Sequence, residues 1–189
     1  MYNYIMNQLE NHQNRHLSPP RLVTGQPLPD IHLFDIDGKP FSLADHSGKI
    51  VIINFWSAEC PWSLRADEIL LRHLPAWQER VLPVTIACNA HETLEQIQQA
   101  VRQRGLPLVL HDPDQTAADA YGALTTPHVF LGDANHLLRY HGAFDNTTFR
   151  RQVPDQFYLI EAVEALLDGK LPPFDHFSAF GCAISRLKL

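Results

Sequence analysis

The chain has 189 residues, a length suited to one folded domain with short extensions. Hydrophobic residues make up 45% of it, enough for a core. Fifteen Lys+Arg against 21 Asp+Glu leave a net charge of -6, which argues against nucleic acid or an anionic membrane as a partner. No run approaches the roughly 18 apolar residues that cross a bilayer. The three cysteines are too few and too scattered for a disulfide-stapled scaffold.

Met1 to His16 is polar, with Ile5, Met6 and Leu9 at helical spacing, and reads as a short surface helix or a loose arm. It lacks a basic start followed by an apolar segment, so no secretory signal is read there and a reducing, cytoplasmic setting is expected. Ser18-Pro19-Pro20 and Pro27 to Pro29 break regular structure. Ile31 to Phe41 alternates around Asp37-Gly38 and predicts a hairpin. Ser42 to Asp45 makes a short turn, and Ile50 to Phe55 is a β-branched run suited to a buried central strand.

Beyond Cys60-Pro61, the segment Leu64 to Arg80 carries Leu64, Ile69, Leu70, Leu74 and Trp77 on roughly one helical face. Val81 to Cys88 reads as a second buried strand, and His91 to Arg104 as a polar helix closed by Gly105. Leu106 to Leu110 predicts a short strand and Gln115 to Ala123 a short helix. Val129 to Leu131 and Leu137 to Tyr140 flank a Gly132-Asp133 turn, and Tyr158 to Leu167 is a helix stopped by Gly169. The tail from Pro172 has no period. Strands alternating with helices imply a mostly parallel sheet covered on both faces. The expected division is an arm at 1–23, a domain at 24–171 and a tail at 172–189.

The chemistry points to Asn54-Phe-Trp-Ser-Ala-Glu-Cys60-Pro-Trp-Ser63. Here a cysteine leaves a central strand and opens a helix. The free N–H groups and partial positive charge of a helix start favour thiolate over thiol. Pro61 loses no needed hydrogen bond at the first helical position, whereas Glu59 is a carboxylate that opposes a second anion. The competing reading of Cys60 is a buried structural cysteine. Eleven histidines are scattered without HExxH or CxxC pairing. His91 and His128 could join Cys60 and Cys88 as metal ligands, but the spacing does not fit, and no metal is expected. Asp112, Asp114, Arg139 and Asp145 read as solvated loop or edge residues.

Phe55-Trp56-Ser-Ala-Glu-Cys60-Pro61-Trp62-Ser63 resembles the active-site segment of thioredoxin-like redoxins. Within them it is similar to the alkyl hydroperoxide reductase/thiol-specific antioxidant and TlpA/ResA-like branch. Gly25 to Pro29, Asp37-Gly38-Lys39 and Ser42-Leu43 are similar to the family's N-terminal hairpin. Tyr121-Gly122-Ala-Leu-Thr-Thr126-Pro127-His-Val-Phe-Leu131 is similar to its cis-proline loop, and Gly181-Cys182-Ala-Ile184 to a tail of one subgroup. The likeness covers roughly residues 24–187. It implies a thioredoxin fold: a three-layer α/β/α sandwich with a central mixed sheet and an N-terminal β-hairpin extension.

On this resemblance Cys60 is the nucleophile, Pro127 the cis-proline facing it, and Trp56 the tryptophan before the motif. Thr126 offers its backbone to a substrate strand. Asn54 stands where thioredoxins carry a buried acid, so no carboxylate proton shuttle is expected there. Ser63 replaces the second cysteine of the family's CxxC, so no vicinal disulfide can form, and its hydroxyl is a candidate hydrogen-bond donor to the Cys60 thiolate. Ser57 stands in for the peroxiredoxin threonine, but Ile53 occupies the usual proline position and no arginine can be assigned. Pro61, Trp62 and His128 complete the expected substrate-facing wall. Cys182 is either a resolving thiol for Cys60 or a tail cysteine packed among aromatics. Cys88 lies either near the site or in strand-end packing.

The resemblance thus implies a thiol-dependent oxidoreductase acting by disulfide exchange or peroxide reduction, with no cofactor. Its substrate is a disulfide-containing protein, glutathione or a peroxide, and a thiol reductant such as thioredoxin supplies electrons. The alternative is a redoxin scaffold that has lost turnover with its second cysteine and binds a partner or senses redox state.

Overall fold

The computed structural model describes residues 22–186. The arm reading for Met1 to His16 and the breaks at Ser18 to Pro20 lie outside the described residues. The strands are β1 (His32–Asp35), β2 (Pro40–Ser42), β3 (Ile50–Trp56), β4 (Val81–Ala87), β5 (Val109–His111), β6 (Thr125–Thr126), β7 (His128–Gly132), β8 (Leu138–Gly142), β9 (His176–Phe177) and β10 (Cys182–Ala183). The α-helices are α1 (Pro61–Trp77), α2 (Leu94–Arg104), α3 (Thr116–Tyr121) and α4 (Tyr158–Leu167).

Eight strands form one sheet in the order β2-β1-β5-β4-β3-β7-β8-β9, and β10 pairs with β6 in a separate two-stranded ladder. The sheet is mixed. β3–β4, β4–β5 and β8–β9 run parallel, while β1–β2, β1–β5, β3–β7 and β7–β8 run antiparallel. The mostly parallel sheet expected from strand–helix alternation therefore holds only for β3, β4 and β5 and for β8–β9. The short turns after β1 and β7 make antiparallel hairpins with β2 and β8, and β1 and β7 also enter antiparallel beside β5 and β3.

All seven residues of β3 are buried, so it has no polar face. Val51, Ile53 and Phe55 pack on one side with Ala117, Ala118 and Tyr121 of α3. Ile52 packs on the other with Ala66, Ile69 and Leu70 of α1 and with Leu159 and Val163 of α4, and Trp56 packs with Ile97 and Val101 of α2. This two-residue alternation between helical layers makes the α/β/α sandwich. Pro83 is tolerated in β4 because β5 pairs only from Thr85 onward, leaving the proline beside β3 alone.

Two boundaries differ from the sequence reading. α2 begins at Leu94, not His91, because Thr93 and Gln96 form a reciprocal capping box. That leaves Glu92 in the loop after β4. The tail is not irregular throughout: β9 extends the main sheet beside β8, and β10 pairs Cys182 with Thr126 and Ala183 with Thr125.

Candidate functional site

Cys60 caps α1 in extended conformation with Pro61 at the first helical position, so chain direction and helix start are set together. Its side chain is 2% exposed. The thiol donates to the Thr126 carbonyl oxygen at 2.9 Å, and the sulfurs of Cys60 and Cys182 lie 2.7 Å apart. Both are free cysteines. β10 carries Cys182 here through its ladder with β6, so a contact between residues 122 apart in sequence is a backbone-fixed one.

Burial is the largest single influence on the Cys60 thiol and opposes ionisation. Hydrogen bonds from the Cys182 thiol, the Thr126 side chain and the backbone N–H groups of Ser63 and Cys182 together outweigh it, and the thiol is held below its ordinary value. The Thr126 hydroxyl is buried with no other partner among the described residues. Cys182 shifts the opposite way, pushed up first by desolvation and then by its bond to Cys60 and that residue's charge. Cys60 is therefore the thiol of the pair that ionises first, and Cys182 the one that keeps its proton and can then donate to it.

The loop ahead of Cys60 is held by a carboxylate that sequence reasoning missed. Glu92 is buried; one oxygen accepts from the Ser57 hydroxyl and, at 3.1 Å, from the Asn89 amide. Its other oxygen accepts from the Ala58 N–H at 3.1 Å. Ser57 Oγ in turn accepts from the Glu59 and Cys60 N–H groups, each at 3.2 Å. Without Glu92 these buried donors lose their acceptor. The Thr93–Gln96 capping pattern is the signal that could have placed Glu92 outside the helix, at the strand end facing this loop.

A second missed set lies beneath. Trp56 Nε1 donates to Asp67 Oδ2 at 2.9 Å, Arg104 reaches the same oxygen at 2.9 Å, and the guanidinium lies 5.0 Å from the indole centroid. Arg104 also donates to the Ala58 carbonyl. Burial raises the Asp67 carboxyl to about 6 against the pull of the Trp56 and Arg104 bonds. The one sequence cue was an aspartate on the apolar side of α1.

Several expected roles change. Trp56 is fully buried and is a support for the loop, not a substrate-facing wall. Ser57 spends its hydroxyl on Glu92 and the loop N–H groups. Ser63 gives its backbone N–H to the Cys60 sulfur, while its hydroxyl accepts from the Ser57 N–H at 3.4 Å. His128 is buried, stacked on Phe130, and its Nδ1 accepts from the Leu124 N–H. Burial, with His141 and His176 adding to it, pushes His128 down to about 3, so it is a neutral ring and brings no positive charge to the thiolate.

The Thr126–Pro127 bond is cis, and Thr126 does not offer a free edge: the chain's own β10 occupies it. Trp62 is half-buried, its ring 5.0 Å from Phe180 of the tail, whereas Pro61 is exposed. Asn54 is buried, and among the described residues no group donates to its Oδ1. Cys88 belongs to an apolar cluster with Phe55, Ile86 and Ala118, and burial pushes its thiol up to about 12.

Asp112 and Asp145 are not solvated. Asp112 caps α3 through the Ala117 and Ala118 N–H groups, and Asp145 pairs with Arg65 at 2.5 Å. Glu59, whose carboxylate was expected to oppose the Cys60 anion, turns to the surface and lies 3.3 Å from His91. Both stand beside Glu92, whose oxygens the loop already uses.

A buried cysteine at a helix start, below a short strand and a cis-proline, on a mixed α/β/α sheet defines a thioredoxin-fold redoxin. Residues 24–141 match the AhpC/TSA family, to which the chain belongs. Among curated relatives, the thiol-disulfide oxidoreductase ResA of Geobacillus thermodenitrificans is 30% identical over 116 residues, 60% of this chain and 66% of that one. The thiol:disulfide interchange protein DsbE of Escherichia coli is 31% identical over 128 residues, 65% of this chain and 66% of its own. The chain thus spans just under two thirds of either relative. Among solved structures, a hypothetical protein of Sinorhizobium meliloti 1021 is 30% identical with a TM-score of 0.77, covering 87% of this chain and 95% of that one. A DsbE-like protein of Chlorobium tepidum, 22% identical with a TM-score of 0.58 over 64% of this chain and 85% of its own, shares the fold.

Proposed function

We propose that this protein is a thiol-disulfide oxidoreductase whose redox pair is Cys60 and Cys182, with the tail supplying the thiol that Ser63 cannot. The 2.7 Å approach of the two sulfurs carries the reading. Cys60 thiolate attacks one sulfur of a substrate disulfide, forming a mixed disulfide and releasing the first substrate thiolate. Cys182, on losing its proton, attacks Cys60 Sγ, forms the Cys60–Cys182 disulfide and expels the second. The substrate gains two electrons and the pair loses them; the pair releases the one Cys182 proton, and any further proton the substrate thiols take up comes from solvent. A dithiol reductant such as a thioredoxin then restores the pair.

The names of the ResA and DsbE relatives support this class of chemistry, and a disulfide-containing protein is the substrate they favour. Glutathione disulfide is the small-molecule version of the same reaction. Peroxide reduction is less favoured, because Ser57 is committed to Glu92, while Arg65 and Arg104 are committed to Asp145 and Asp67.

Turnover of insulin disulfides with a dithiol reductant tests the proposal. Cys60→Ser should fall to background and Cys182→Ser by at least about tenfold, equivalent to roughly 1.4 kcal/mol of barrier. Cys88→Ala should retain turnover per folded molecule. Full activity in Cys182→Ser would overturn the pairing.

A further inference from the structure

The segment Ser178–Ala183 crosses the site between two anchors. On one side β9 is paired with β8, and the Ala143 N–H donates to the Phe177 carbonyl at 3.1 Å. On the other, Ile184 is buried in the core and its N–H donates to the Leu124 carbonyl at 3.0 Å. Ser185 follows with its N–H on Asn89 Oδ1 at 2.9 Å, and its carbonyl accepts from Gln115 Nε2 at 2.7 Å. Arg186 donates to the Ala123 carbonyl at 2.6 Å.

A substrate disulfide reaches Cys60 only when these bonds open; once Cys60 and Cys182 are joined, the bond between them ties this strap of chain down over Cys60 as well. The two sulfurs therefore differ in what reaches them. Cys60 lies beneath the strap, 2% exposed. Cys182 lies on the strap and is partly exposed.

We infer that, once Cys60 and Cys182 are joined, the reductant attacks Cys182 and Cys60 is the sulfur that leaves. This rests on the redox pairing proposed above and assigns the two sulfurs to different partners. Cys60 meets the substrate disulfide, and Cys182 meets the electron donor.

In the donor step, a thiolate of a dithiol reductant attacks Cys182 Sγ. A Cys182–donor disulfide forms, the Cys60–Cys182 bond breaks, and the electron pair departs on Cys60. The donor's second thiolate then attacks the donor sulfur and releases Cys182. The donor ends as a disulfide, and the pair ends as one thiolate and one thiol.

The same groups that hold the Cys60 thiolate make it the better leaving group: the Ser63 and Cys182 N–H groups and the Thr126 side chain. Departure in the opposite sense would place the charge on Cys182, where desolvation disfavours it.

The test uses the full chain, oxidised and first mapped to verify the Cys60–Cys182 bond. It is mixed with a thioredoxin-class donor whose second active-site cysteine is serine, then quenched in acid and digested. The donor should be joined to the Cys182 peptide at least about tenfold over the Cys60 peptide, with Cys60 recovered as a free thiol. A donor found mainly on Cys60 would overturn the assignment while leaving the redox pair standing. Failure to find the Cys60–Cys182 bond at the outset would overturn the pairing, and this inference with it.

Discussion

Two sulfurs 2.7 Å apart titrate as a unit, because the first charge opposes the second. The surroundings decide which ionises first. Burial raises both, but Cys60 gains the helix-start N–H of Ser63 and three further donors, whereas Cys182 gains only an anionic neighbour. Because the folded value of Cys60 is depressed, its thiolate stabilises the fold as pH rises, and that contribution is lost as pH falls through the folded midpoint. Its reactivity follows the same sign. Alkylation of Cys60 by iodoacetamide should climb at lower pH than that of an ordinary thiol, and Cys182→Ala should move the midpoint to higher pH by removing one donor. Burial, the largest opposing influence, acts throughout. An unmoved midpoint in Cys182→Ala would show that Cys182 plays no part in holding the anion.

At the scale of elements, β10 and β6 fix the site as firmly as α1 does. Gly181 shows how closely the strap approaches: a Cβ there would collide with the Thr126 carbonyl oxygen. Gly181→Ala should therefore push the strap from β6 and cost about 1–3 kcal/mol of stability in chemical denaturation. It should also slow formation of the Cys60–Cys182 disulfide. Wild-type stability in this variant would mean that the strap is not seated as described.

The legible parts of the site were local ones. Cys60-Pro61 after an apolar run announces a strand–cysteine–helix junction within a few residues, and Asp37-Gly38 announces the first turn. The strap was not legible, because its strands are two residues each and owe their existence to partners far away in sequence. Glu92, Asp67 and Arg104 were missed for a related reason. A buried charged side chain looks solvated until the donors and charges around it are known, as Asp112 and Asp145 also show.

At the scale of the whole molecule, the sheet order brings the loops after β3 and β4 to the same edge, because these strands are parallel. That is why Glu92 can brace the residues before Cys60. β7 enters antiparallel on the other side of β3 and sets the Thr126–Pro127 turn beside the thiol. The tail completes the arrangement by returning first to β8 and then across to β6. The proposed redox pair thus has one thiol on the helix and one on the strap.

The most direct test of this central claim is a peptide mass map of the reduced protein after one equivalent of glutathione disulfide. The account predicts a Cys60–Cys182 linked peptide, with Cys88 still a free thiol. Glutathione retained on Cys60 beside a free Cys182, or a Cys60 that stays unmodified, would contradict it.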